Sequence, residues 1–189
     1  MMTIKEKIEA ANREYAAHKK ESAHPDKKFA ILTCMDARMD PVLFAGLSDD
    51  AYVVRNAGGR ATEDAVRSLV ISAKLLGTSE WYVIHHTDCG MAGFTNDTMR
   101  RLLRESLGRA VFENGQWNNV TDEPGADPGT MDFLPFADAA ESVIQDVRIL
   151  RHHPLVSRSI PIYGYLYDIH TGKLTEIEEA SQEGRPREE

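Results

Sequence analysis

The stretch "ILTCMDARMD", residues 31–40, decides how the rest of the chain is read. An apolar run ends in Cys34, and Asp36 and Arg38 follow at every second position. A short apolar run bounded by breakers is long enough only for a strand. In an extended chain alternate side chains share a face, so Cys34, Asp36 and Arg38 are expected to project together while Met35, Ala37 and Met39 point away.

Outward from this stretch, "FAILTC" (29–34) is the first strand, and "AYVVR" (51–55), "WYVIHH" (81–86) and "IPIYGYLYD" (160–168) supply the β-branched and aromatic residues of three more. Helical spacing predicts a helix over 62–77, where Thr62 caps, Glu63 and Asp64 suit the N-terminus and Gly77 closes the C-terminus. Further helices are expected over 95–107 and within 137–154, the latter stopping before Pro154. Strands alternating with helices imply a single-domain α/β fold over 1–189, with a mainly parallel central sheet of four to five strands flanked by helices.

Three segments lie outside that alternation. The N-terminal arm, 1–24, carries Ile4, Ile8, Ala11 and Tyr15 as one apolar stripe on a charged helix, and a turn at "HPDKK" (24–28) follows it. Residues 113–136 are dense in Gly, Pro, Asn and Asp and read as a long loop: a lid, an interface element or an exposed insertion. Residues 180–189 have no apolar pattern and are expected to fray.

Composition narrows the function. A net charge of −8 and a pI near 5.4 repel phosphate backbones, so no nucleic-acid partner is expected. No apolar run approaches the roughly 18 residues of a membrane span, and the Lys/Glu-mixed N-terminus is not a secretory signal, which makes a cytoplasmic location the expectation. Cys34 and Cys89 are the two cysteines, too few for a disulfide framework; they read as thiols, structural or metal-bound.

Ligand sites in open parallel sheets gather at the carboxyl ends of strands. The 81–86 strand ends in "IHHTDCG", which brings a histidine and Cys89 to a place equivalent to that of Cys34. Two thiolates and an imidazole form a soft set that favours zinc and leave the fourth tetrahedral position open. Neighbours on a strand face opposite sides, so only one of His85 and His86 should ligate; spacing favours His86, three residues before Cys89, and leaves His85 for support or packing. A buried Cys at a strand end is more often a core residue, and an isolated Asp-x-Arg is usually a surface ion pair. Here both cysteines, a histidine and an acid–base pair converge on two strand ends. "VVRNAGGRAT" lacks a proper GxGxxG, so Gly58 and Gly59 read as a tight turn or close packing rather than a phosphate cradle.

With "RNAGG" between them, "CMDAR" and "HHTDCG" resemble the β-class carbonic anhydrases, whose motif is C-x-D-x-R followed by H-x-x-C. The likeness runs over about 28–107 and resumes at "PIYGYLYDIHTGKLTEI". It implies one Zn2+ per chain on Cys34, His86 and Cys89, and an Asp36–Arg38 dyad that orients a zinc-bound hydroxide. The reaction implied is the reversible hydration of carbon dioxide to bicarbonate and a proton. Zinc lowers the pKa of bound water to about 7; two thiolates should weaken that effect, so supporting groups around them are expected. By the same resemblance Gly58, Gly59 and Gly90 border the substrate pocket. The chain would form a homodimer or higher homo-oligomer, its N-terminal helix reaching over the partner. Ile31 stands where members regulated by a second bicarbonate carry Trp, so that regulation is not expected.

His85 is a candidate proton shuttle by its pKa class, set against a packed strand histidine. Two rival readings stand beside this one. The first is a carbon disulfide or carbonyl sulfide hydrolase on the same scaffold. The second is a non-catalytic zinc or thiol-redox module, which leaves Asp36 and Arg38 without work.

Overall fold

The computed structural model describes residues 2–19, 28–46 and 51–187. β1, Phe29–Cys34, is an inner strand of the sheet and buries every residue after Phe29, as a strand covered on both faces of a parallel sheet does. β1 pairs in parallel with β2, Ala51–Asn56, on one side and β3, Glu80–His86, on the other. β6, Ile162–Tyr167, pairs in parallel with β3, and β7, Leu174–Glu176, closes the edge in antiparallel sense. The sheet thus has five strands in the order β2-β1-β3-β6-β7, within the expected four to five. Cys34 stands opposite Asn56 and Thr33 opposite Ile84, so β1, β2 and β3 present their carboxyl ends at one edge.

One face of the sheet is packed by two long helices. α3, Glu63–Leu76, starts on Thr62, whose side chain accepts from the Ala65 N–H, and ends on Gly77 in the left-handed conformation, as its capping residues predict. α5, Ala139–His152, starts on an Asp138 cap. Leu69, Val143, Val147 and Leu150 from these helices bury themselves against Ala30, Leu32, Trp81, Val83 and Ile162, each large side chain contributing about 1.5–3 kcal/mol. The opposite face gathers Ile31, Met39 and Ile84 with Phe29, Tyr82, Tyr165 and Tyr167. Among the described α-helices only the single-turn α2, Pro41–Phe44, reaches it, stacking Phe44 on Tyr167 at 4.5 Å.

α1, Ile4–His18, has a capping box on Thr3 and none of its residues buried. Its apolar stripe is solvent-facing in the protomer, with Ile4 71%, Ile8 64% and Tyr15 59% exposed. The turn expected at 24–28 falls, up to residue 27, outside the described residues.

Two expectations need correction. Residues 113–136 are not one long loop: after α4, Asn96–Glu105, the strands β4, Ala110–Glu113, and β5, Gln116–Asn119, pair as a hairpin. Its turn is Asn114-Gly115, both at positive φ (54° and 79°), a two-residue turn that suits the strand twist. The tail expected to fray from 180 is docked as far as Arg187, whose N–H donates to the Arg158 carbonyl at 3.0 Å. α6, Glu178–Glu183, buries Ala180 completely, and the Gly184 carbonyl accepts from the Ile162 N–H at 3.0 Å and from buried Arg151. Backbone hydrogen bonds hold it where no apolar pattern could have shown it.

Candidate metal centre

The period of β3 sorts the two histidines. Trp81, Val83 and His85 face α5, while Tyr82, Ile84 and His86 face the other side of the sheet. His86 there meets Cys34 at the end of β1 and Cys89 in the turn after β3: one ligand atom from each lies within 4.8 Å of the others, and all three residues are buried. The two Sγ atoms are 4.0 Å apart. That is far beyond a disulfide and close to the roughly 3.8 Å that two Zn–S bonds of about 2.3 Å subtend at a tetrahedral angle.

The imidazole is oriented for a cation. His86 Nδ1–H donates to the Thr87 carbonyl at 2.8 Å, which leaves the Nε2 lone pair directed into the site. Nε2 is buried and has no hydrogen-bond partner, a cost that a bound metal ion would remove. Cys34 is drawn well below the ordinary thiol range by the Cys89 side chain, against burial, with help from His86 and the backbone N–H groups of Asp36 and Gly58. Cys89 is pushed up, by Cys34 first and by burial second. For His86, burial favours the neutral ring, but Cys34, the Thr87 carbonyl and Asp36 together outweigh it and raise its pKa. A soft, electron-rich donor set of this kind fits zinc.

Asp36 and Arg38 do meet, although not by strand alternation. β1 ends at Cys34 and the chain turns at Ala37 and Arg38, so the Arg38 N–H donates to Asp36 Oδ1 at 2.9 Å. The guanidinium closes on the same carboxylate at 3.0 Å (Nε to Oδ1) and 2.7 Å (Nη2 to Oδ2). Met39, expected to point away, is the buried member of this turn. The Arg38 hydrogen bond, against slight desolvation, holds Asp36 at about 2, so the carboxylate is ionised at neutral pH. Its Oδ2 lies 3.9 Å from His86 Nε2, beside the ligand cluster.

Gly58 and Gly59 are buried with φ of 80° and 72°. A Cβ on Gly59 would stand 2.9 Å from the Thr33 carbonyl carbon and 3.0 Å from the Cys34 nitrogen, so this glycine lets the 57–59 turn lie directly on the backbone that carries Cys34. At Gly90 nothing lies within 4 Å of where a Cβ would be, leaving room beside Cys89. Gly90 also borders an apolar cavity of about 310 Å³ between α4 and the β4–β5 hairpin, lined by Phe94, Met99, Leu102 and Trp117.

His85 is 0% exposed. Its Nδ1 accepts from the Ser142 hydroxyl (2.6 Å), and its Nε2–H lies 3.1 Å from the Gly59 carbonyl and 3.2 Å from Asp146. Burial and partners on both ring nitrogens favour the packed strand histidine over a proton shuttle. Asp146 in turn pairs with Arg60 at 2.8 Å, and Arg60 Nη1 donates to the Leu134 carbonyl at 2.7 Å. This buried network, together with Arg55, which donates to the carbonyls of Cys34, Asp36 and Met39, escaped the sequence reading. Asp88, which pairs with Arg38, was quoted in "HHTDCG" but given no role. An Arg near the carboxyl end of the edge strand β2, beside the end of β1, was the one available signal for Arg55.

Comparison with known proteins bears directly on this geometry. The carbonic anhydrase family profile matches residues 29–174, the span from β1 to the start of β7. The chain belongs to the β-carbonic anhydrase family. β-Carbonic anhydrase 1 of Mycobacterium tuberculosis is 37% identical over 179 residues, covering 93% of this chain and 99% of that protein. The crystal structure of a carbonic anhydrase from Streptococcus mutans is similar with a TM-score of 0.80 at 39% identity, covering 94% of this chain and 99% of that one. A carbon disulfide hydrolase of Saccharolobus solfataricus is 32% identical over 175 residues, covering 85% of this chain and 82% of that protein. The β-carbonic anhydrase scaffold therefore has relatives named for two different linear substrates.

Proposed function

We propose that this chain catalyses the zinc-dependent, reversible hydration of carbon dioxide to bicarbonate and a proton. The observation that carries the reading is the convergence of Cys34, His86 and Cys89, with an unpartnered His86 Nε2, next to an ionised Asp36 held by Arg38. Cys34, His86 and Cys89 would hold the ion, whose chemistry when bound is to make a water molecule acidic near neutral pH. Three protein ligands would leave such an ion open to solvent rather than closed by a fourth side chain.

Asp36 is an acceptor-only carboxylate, so it can take one O–H of the attacking water and keep a lone pair directed at the substrate carbon. Arg38 fixes the carboxylate through two bonds from its planar fork and keeps it charged. While that pair is intact, Asp36 stays a director rather than a fourth ligand. The Gly58 and Asp36 backbone N–H groups facing Cys34 spread its negative charge, which offsets part of the extra donation that two thiolates bring. Carbon dioxide offers no charge to clamp, and the space at Gly90 next to apolar walls suits it.

The protein is further proposed to work in the cytoplasm as a homodimer or larger homo-oligomer. The described residues contain no helix long and apolar enough to cross a membrane. In support of assembly, α1 exposes its whole apolar stripe, and among the described residues no long helix covers the aromatic sheet face carrying Tyr82, Tyr163 and Tyr165. Parallel sheets bury both faces, and a partner's arm is the element that would cover this one.

Zinc content measured together with stopped-flow carbon dioxide hydration tests the reading. Cys34→Ser should lose both zinc and activity, and Asp36→Asn should keep zinc and lose most activity; full activity in either variant would refute it. The carbon disulfide hydrolase relative keeps a second reading alive, hydrolysis of carbon disulfide or carbonyl sulfide. Parallel assays with these substrates decide between them: the proposal requires carbon dioxide to be turned over the faster.

A further inference from the structure

We propose that Asp88 is a positioning residue: it clamps the Arg38 guanidinium from the side opposite Asp36 and thereby fixes the Asp36 carboxylate for the reaction. The inference rests on the reading that Asp36 directs the attacking water. It starts from how the five N–H groups of Arg38 are used. One edge, Nε and Nη2, spans the Asp36 carboxylate. The other edge, Nη1 and Nη2, spans Asp88, with Nη1 donating to Oδ2 at 2.8 Å and Nη2 donating to the backbone carbonyl at 2.9 Å. The Arg38 side chain is 48% exposed, so packing does not hold it in place; these two forks do. A guanidinium gripped along one edge can swing about its last torsions, whereas one gripped along both cannot.

A second observation concerns the backbone. Asp88 has φ 53°, a left-handed conformation that is disfavoured for residues with a side chain and best tolerated by Asn and Asp. That conformation turns both the carbonyl and the carboxylate of Asp88 towards Arg38. Asp88 is the second variable residue of the H-x-x-C stretch, between His86 and Cys89. Arg38 belongs to the turn that follows Cys34. One guanidinium therefore ties together the turns that follow β1 and β3, at the strand ends where the three proposed metal ligands gather, and it does so at the carboxylate that directs the water. Asp88 reaches this chemistry only through Arg38, which is why it is a positioning residue and not a catalytic one.

The test uses the zinc-loaded protein and Asp88→Gly, a change that keeps the left-handed backbone and the carbonyl contact while removing the side-chain acceptor of Arg38 Nη1. The expected result is a fall in kcat of about tenfold, the lower end of what lost support of this kind costs, with KM and zinc per chain unchanged. The Arg38 Nε–H resonance, which the clamp predicts to be sharp and slowly exchanging in the native protein, should broaden or exchange rapidly in the variant. Native kcat with a native Arg38 resonance would overturn the proposal. So would a loss of zinc or of fold stability without the kcat–KM split, since Asp88 would then only brace the loop. Asp36→Asn serves as the control for the underlying reading: if that variant keeps native kcat, the role of Asp36 is wrong, while the Arg38 resonance still judges the clamp.

Discussion

Two ion pairs in this protein have the same shortest N–O distance, 2.8 Å, and opposite surroundings: Arg60–Asp146, with side chains 6% and 1% exposed, and Arg67–Asp64, at 62% and 78%. Distance alone would rank them equal. Burial does not, because truncating Asp146 strands the Arg60 charge where water cannot reach it, at a cost of about 3–5 kcal/mol, while truncating Asp64 leaves Arg67 solvated and costs about 0–1 kcal/mol. His85 moderates the first figure little, since its Nε2–H keeps the Gly59 carbonyl when Asp146 is lost. Against a total stability of about 5–15 kcal/mol, Asp146→Ala should remove a large share. Urea unfolding of Asp146→Ala and Asp64→Ala, at one protomer concentration and with m-values compared, measures both. A double change, Arg60→Met with Asp146→Leu, should be more stable than Asp146→Ala alone, because it removes the stranded charge as well. Costs for the two alanine variants within about 1 kcal/mol of each other would refute the reasoning.

Gly59→Ala combines a strained φ with a collision against the β1 backbone and should cost more than about 2 kcal/mol and weaken zinc binding. Gly115→Ala, at φ 79° in open space, carries only the conformational strain of about 1–2 kcal/mol; equal losses in thermal or urea unfolding would contradict the close-approach argument. Asp36 has its folded pKa depressed to about 2 from 3.8, so the stability it contributes is complete above its unfolded value and disappears as pH falls through about 2. Urea midpoints of the native protein and Asp36→Asn should accordingly differ at pH 7 and converge towards pH 2, and a gap that persists at pH 2 would argue against the Arg38 contribution. Ile8→Glu alters a residue that is 64% exposed in the protomer, so it should leave the far-ultraviolet circular dichroism unchanged while light scattering shows a smaller assembly. An unchanged mass would remove α1 from the interface.

The parts of this fold that could be read from residues are those where the signal is local. Thr62, the acidic pair after it and Gly77 delimit α3 because caps act within one turn. Cys34 and the pair His86 and Cys89 could be brought together because parallel strands in adjacent positions end at one edge. The Asp36–Arg38 contact was anticipated from strand alternation but arises from a turn, since a period of two holds only while the chain stays extended. The hairpin after α4 was legible in principle: "VFENGQW" places Asn-Gly between two β-prone runs, a two-residue turn signal, but the surrounding Gly, Pro and Asp hid it in a loop composition. Asp146 and Arg60 lie 86 residues apart, and no spacing or propensity connects them. α6 is held by one buried alanine and by the Gly184 carbonyl, which accepts from Arg151 and from the Ile162 N–H, interactions that depend on backbone placement.

Zinc K-edge X-ray absorption of the purified protein probes the central claim most directly. The account predicts about one zinc per chain with two sulfur neighbours near 2.3 Å, one nitrogen near 2.0–2.1 Å and a light-atom neighbour at the remaining corner. A shell without sulfur, or no zinc bound by the native chain while Cys34→Ser behaves identically, would contradict it.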